Sequence, residues 1–187
     1  MQNKMTEGNV IRALAAFTVP LILSGLFQQL FNWVDAFIVG NVEGETALAG
    51  IGATTSVYNL FVTVITGFAS GLSVLTAQRY GMGEKEKIRE LLSSYTALFA
   101  LLFTVISAAG AVFTEELLVV LDTPETIFFS AQSYLKLLFA GIPFLAVYNT
   151  YSAVLRGIGN SSAPFFSILV CSAVNVVLDL LFVAGMG

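Results

Sequence analysis

The sequence predicts an all-α, polytopic membrane helical bundle with five transmembrane helices, and three observations carry that prediction. The chain is 57% hydrophobic and only 11% charged, against about 25% charged in a soluble domain. Its charges gather in short segments that separate five long apolar runs. The runs are continuous and do not alternate, which argues against a transmembrane barrel. Within lipid every backbone polar group must be satisfied inside the segment, so continuous runs of this length read as helices.

The runs cover residues 13–40, 48–78, 91–113, 127–155 and 163–185. Each has at least the ~20 residues that a helix needs to cross a hydrocarbon core of about 30 Å. The first follows Lys4 and Arg12 and carries Pro20. The second holds Gly67 and Gly71, a small-xxx-small face suited to close helix contact. It ends at Arg79-Tyr80-Gly81-Met82-Gly83, where glycine supports termination and the cation complements the helix dipole. The mixed-charge segment Glu84 to Glu90 reads as the solvated start of the third helix. Asp122-Thr123-Pro124 looks like the start of the fourth, with Pro124 at its first helical position. Lys136 is the one cation well inside a run, and a helix running along the outer interface lets it reach the headgroups by snorkelling. Pro143 lies further along the fourth run, which ends at Arg156-Gly157-Ile158-Gly159. A proline inside a helix can bend it.

Loop charges set an orientation. Lys4, Arg12, Arg79, Lys85, Lys87, Arg89 and Arg156 all fall on one side of the predicted bundle. The loops 41–47 and 114–126 contain no Lys or Arg and carry Glu43, Glu45, Glu115, Glu116, Asp122 and Glu125. The positive-inside rule then places the N-terminus in the cytoplasm and Gly187 outside, as expected of a multi-pass protein of the plasma (inner) membrane. No signal peptide is expected, because residues 1–10 are polar and the run after them is too long. There is no His, and the single Cys171 offers neither an internal disulfide nor a metal cluster. Neither glycine-rich segment has the GxGxxG order of a phosphate loop, no cofactor is expected, and the net charge of −4 argues against nucleic acid.

Two carboxylates stand out. Asp35 closes a stretch, Ala13 to Val34, without a charged residue, and Asp179 does the same after Gly157 to Leu178. A carboxylate at a helix centre costs on the order of 2.5–3.5 kcal/mol to insert, so it marks a proton or cation site more often than packing. At 1.5 Å per residue, Asp35 falls about 9 Å and Asp179 about 12 Å from the outer ends of their runs. The two therefore sit in the outer half at similar depth and are placed to share a cavity. Ser24, Gln28, Asn32 and Asp35 form one polar stripe on the first helix, and Ser172, Asn175 and Asp179 form another on the fifth. Thr55, Asn59, Thr63, Thr66, Ser70 and Ser73 repeat the pattern on the second. Residues three or four apart share a helix face. Stripes like these face one another or water, and most of their hydroxyls read as ordinary interhelical glue.

These residues also carry a family resemblance. Leu26-Phe27-Gln28-Gln29-Leu30-Phe31-Asn32-Trp33-Val34-Asp35, with Val39-Gly40, resembles the first-helix motif of the multidrug and toxic compound extrusion (MATE) family. Ala47-Leu48-Ala49-Gly50-Ile51-Gly52 resembles the start of that family's second helix, and Gly71-Leu72-Ser73-Val74-Leu75 through Tyr80-Gly81 its end. Tyr134-Leu135, Pro143-Phe144, Tyr148-Asn149 and Leu155-Arg156-Gly157-Ile158-Gly159-Asn160 resemble the fourth helix and its exit. Asn175-Val176-Val177-Leu178-Asp179 resembles the fifth.

The resemblance implies a twelve-helix antiporter of two six-helix lobes, which expels organic and often cationic compounds in exchange for protons or sodium ions. Residues 1–187 then look like the N-terminal lobe, ending before its sixth helix and before the C-terminal lobe. Asp35, Asn175 and Asp179 match the family's ion-coupling cluster. Tyr134 and Asn149 match residues of the substrate cavity, which Gln28 and Asn32 also border as members of the first stripe. Nearby carboxylates in a low-dielectric cavity resist ionising together, so one holds a proton that a cationic substrate displaces. Alternating access comes from one lobe moving against the other. Two rivals stand beside this reading. A lipid-linked oligosaccharide flippase of the same superfamily would show a more cationic cavity. An intramembrane aspartyl protease would carry Gly-x-Gly-Asp, whereas Asp179 follows Val176-Val177-Leu178.

Overall fold

In a computed structural model the backbone is described for residues 10–42 and 44–186, and the side chains within them except at 39, 42, 179, 180 and 182–186. Six helices follow in order: α1 (Val10–Val42), α2 (Glu45–Gly81), α3 (Lys85–Val112), α4 (Thr114–Val120), α5 (Glu125–Gly157) and α6 (Ser162–Met186). Among the described residues α1, α2, α3 and α5 are long and apolar enough to cross a membrane, and α6 has a shorter described apolar stretch, Ser162–Leu178. The long helices run a few residues past most ends of the apolar runs, because charged residues continue a helix once it leaves the hydrocarbon.

α4 corrects the sequence reading of 114–126 as a loop. Its Thr114 and Leu118 are fully buried, while Val119 and Val120 are strongly exposed. This short helix precedes Asp122-Thr123-Pro124, where the sequence reading placed the start of the fourth span. Pro124 is the N-cap of α5 and not its first helical residue. α5 itself runs unbroken for 33 residues, about 50 Å at the standard rise. That exceeds the core by about 20 Å, which lets the exposed Lys136 sit near the boundary without a separate surface helix.

Glycine ends two of the long helices in the same way. Gly83 N–H donates to Tyr80 O and Glu84 N–H to Arg79 O, both at 3.0 Å, with Gly83 at φ 76°. Gly159 N–H donates to Arg156 O at 2.9 Å and Asn160 N–H to Leu155 O at 2.8 Å, with Gly159 at φ 85°. This is the Schellman arrangement, which a left-handed residue permits without steric cost when that residue is glycine. The Asn160 side chain then accepts the Ala163 N–H at 3.1 Å and caps α6.

α2 and α5 run parallel as the central pair, and α3 packs on α5. A Cβ on Gly50 would meet Ala131 N at 3.1 Å, and one on Gly157 would meet Ser73 O at 2.7 Å. The two helices thus approach closely near both ends, in one register. Ile65, Phe99, Phe103, Leu118, Leu135 and Phe139 build the main core between α2, α3, α4 and α5. Pro143 has no N–H to offer the Phe139 carbonyl four residues earlier. The Ser107 hydroxyl of α3 donates to that carbonyl instead. A second body is formed by α1 and α6, which pack on each other and touch α2 and α5 only lightly. By contrast Gly67 and Gly71 have nothing within 4 Å of a Cβ. Their small face is an open groove and not a contact within this chain.

Candidate functional site

The site lies where the α1–α6 pair meets the central pair, toward the end of the bundle that carries Glu45, Glu115, Glu116 and Glu125. Asp35 is half-buried seven residues before the end of α1. The Tyr134 hydroxyl of α5 lies within electrostatic range of Asp35, and Tyr58 of α2 lines the same cavity as Tyr134. Three helices therefore converge on one polar cluster. Beside it is a cavity of about 230 Å³ lined by Tyr58, Tyr134, Leu137, Leu138, Gly141, Ile142 and Leu145. Most of that lining comes from one face of α5, where residues three and four apart line up. Among the described lining residues the two tyrosines bear the hydroxyls.

α6 approaches α1 with the same polarity, both helices starting at the basic end. Phe27 and Phe165 meet with ring centroids 6.1 Å apart. For straight parallel helices, Asp35 lies about 12 Å beyond that contact, Asn175 about 15 Å and Asp179 about 21 Å. Asn175 thus comes within a helical turn of the Asp35 level and is exposed. The backbone of Asp179 continues α6 one turn beyond Asn175, and its side chain lies outside the described residues. Gln28 and Asn32 are exposed on α1, on the turns that precede Asp35.

Asn149 belongs elsewhere. It is fifteen residues along α5 from Tyr134, about 22 Å toward the basic end by helix rise. There it donates to Leu145 O at 2.9 Å and lines a separate polar cavity with Thr66, Ser70, Ser73 and Arg156. The stripe on α2 divides in the same way. Its lower members face Asn149, and the residue that reaches the Asp35 cluster is Tyr58, which the stripe does not include. Tyr58 stands four residues from Thr54 and seven from Ile65, both fully buried, and no local pattern in the sequence marked it.

Chemically, the cluster combines one carboxylate, two phenols and an apolar wall. Two aromatic faces and an anion attract an organic cation and hold its apolar body. Among the described residues no group of three or more His, Cys, Asp or Glu converges to hold a metal ion.

Comparison with known proteins agrees with this architecture. The family described as MatE matches residues 20–181. A probable multidrug resistance protein of Bacillus subtilis, YoeA, is 30% identical over 98% of this chain and 40% of its own length. Another from the same organism, YpnP, is 31% identical over 96% of this chain and 40% of its own. The chain thus spans about 40% of the length of these relatives. A solved transporter of the MOP superfamily from Pyrococcus furiosus superposes on all of this chain and 41% of its own, with TM-score 0.91 and 22% identity, a likeness of fold. The chain belongs to the MatE family of membrane transporters.

Proposed function

We propose that this chain is the N-terminal lobe of a cation-coupled antiporter that exports organic, often cationic, compounds by alternating access. The observation that carries this reading is Asp35, a half-buried carboxylate inside an apolar helix, within electrostatic range of Tyr134, which lines the 230 Å³ cavity. The names of the two Bacillus relatives, both probable multidrug resistance proteins, support the substrate class. Asp35, Asn175 and Asp179 form the ion-coupling group, with H+ or Na+ as the coupling ion and no other cofactor. Tyr134, with Gln28 and Asn32, borders the outer part of the substrate path, and Asn149 its inner part.

The mechanism follows from charge balance. A carboxylate in a low-dielectric cavity is stabilised as the neutral acid by a proton or as the anion by a cation. Substrate and coupling ion therefore compete for one charge. Release of one on one side of the membrane accompanies capture of the other, provided the site opens to one side at a time. The reading places the N-terminus in the cytoplasm of a plasma (inner) membrane, with the C-terminal lobe completing the cavity wall. Ethidium efflux from vesicles holding the full-length protein, with proton and sodium gradients imposed separately, tests it. Efflux driven by one gradient and insensitive to the other supports the reading, and efflux indifferent to both sinks it.

A further inference from the structure

A second charged cavity lies outside the Asp35 site. Arg156, in the last turn of α5, shares a space of about 410 Å³ with Asn149 of the same helix and with Thr66, Ser70, Ser73 and Val74 of α2. The ion pairs at the turn between α2 and α3 end on Glu84, with Arg79 at 2.8 Å and Lys87 at 2.6 Å. No described carboxylate meets Arg156. Its guanidinium brings a positive charge and N–H donors, with no acceptor, to the cavity. Its fork of N–H donors matches a phosphate or carboxylate in bidentate fashion.

The remaining groups refine the ligand. The Thr66 hydroxyl donates to Val62 O at 2.8 Å, and Ser70 donates to Thr66 O at 2.8 Å. Asn149 spends an amide N–H on Leu145 O. With these donors engaged in the helix, the three lining residues offer the cavity acceptor oxygens, which suit hydroxyl or other donor groups on a ligand. Thr66 to Ser73 spans about 10 Å along α2, long enough for an anionic group at Arg156 with a polar body beyond it. Val74 also borders an apolar groove of about 760 Å³ lined by Gly67, Phe68, Gly71 and Tyr95. An apolar tail has a place to lie directly beside the polar cavity.

We propose that the Arg156 cavity binds a phosphate group carried on a hydroxyl-bearing molecule, whether an anionic lipid headgroup or a soluble organic phosphate. The proposal does not need the coupling role of Asp35, and it places an anionic group where the substrate path proposed above reaches Asn149.

Two arms separate the sources, both on the purified full-length protein. In one, delipidated protein in detergent is titrated with glycerol 3-phosphate and its unfolding midpoint followed. In the other, protein from vesicles of equal parts phosphatidylglycerol and phosphatidylcholine is examined by native mass spectrometry for retained lipid. Binding in either arm, weakened about tenfold or more by Arg156→Gln and less by Arg156→Lys, is the expected result. A signal only with phosphatidylglycerol identifies a headgroup, and one only with glycerol 3-phosphate a soluble ligand. Should Arg156→Gln fail to fold, Ser70→Asp serves, because Ser70 is exposed and its replacement puts an anion into the cavity. Wild-type protein that holds neither probe, or a folded variant of either kind that holds them as tightly as wild type, overturns the proposal.

Discussion

At the residue scale the chain is governed by which polar groups lipid leaves without water. Asp35 was legible in the sequence because a carboxylate inside a charge-free run has no inexpensive structural explanation. Tyr58 was not, because its role depends on α1 and α5 lying on either side of it, which no local pattern records. Asn149, which the resemblance assigned to the substrate cavity, lines a cavity with Arg156 and not with Tyr134, since fifteen residues of helix separate it from Tyr134. The Ser107–Phe139 bond was equally hidden, although Pro143 announced that one carbonyl would lack its usual donor. Removing that hydroxyl leaves a buried acceptor with no intrahelical alternative. We expect Ser107→Ala to cost about 1–2 kcal/mol, above the average for interhelical bonds in membranes. Pro143→Ala restores an N–H at the right place, so the double variant should recover part of that loss. Unfolding of the four proteins of this cycle in mixed micelles measures it, and strictly additive effects contradict the assignment.

At the element scale the helices were readable from charge spacing, but their partners were not. The five runs appear as α1, α2, α3, α5 and α6. α4 escaped because seven residues are too few to show a helical period between acidic neighbours. Gly67 and Gly71 looked like the packing face of α2, whereas Gly50 and Gly157 do the packing in this chain. A Cβ at 157 would press on the Ser73 carbonyl at 2.7 Å and Thr76 Cβ at 2.6 Å, and backbone cannot give way cheaply. Gly157→Ala should therefore destabilise by about 1–3 kcal/mol, while Gly71→Ala should cost nothing in the isolated chain; equal midpoints for the two variants would be incompatible with the α2–α5 register. The turn between α2 and α3 carries its own electrostatics. Hydrogen bonds from Lys87 and then Arg79 hold the Glu84 carboxyl below its ordinary value of 4.5. A lowered folded value means a contribution present above about pH 4.5 and lost as pH falls through the folded value. Exposure and salt keep that contribution small. Wild type and Glu84→Gln should differ slightly at pH 7 in low salt and converge in acid or in 0.5 M salt (roughly, several times the ionic strength that already limits screening to about 8 Å). A difference that grows in acid would reverse the sign of this account.

At the scale of the whole molecule, two bodies meet at the Asp35 cluster: α1 with α6, and α2 with α3, α4 and α5. The orientation proposed from loop charges is testable by labelling. Cysteines introduced at Glu45 and Thr123 should react with an impermeant maleimide on intact cells, and one at Lys85 only after permeabilisation. Labelling at Lys85 in intact cells would invert the orientation. The open faces of α1 and α2, with Leu26, Leu30, Trp33, Phe37, Phe68 and Val74 exposed, fit a chain that spans about 40% of its relatives' length. Transport is accordingly a property expected of the full-length protein. The central claim is that Asp35 carries the coupling charge, and one measurement addresses it most directly: ion-gradient-driven ethidium efflux from vesicles holding full-length protein, wild type beside Asp35→Asn. Neutralising the carboxylate removes the group for which ion and substrate compete, and it eases insertion into the bilayer. Asp35→Asn inserted at wild-type levels with coupled efflux abolished or severely reduced is the predicted result; wild-type efflux in that variant would contradict it.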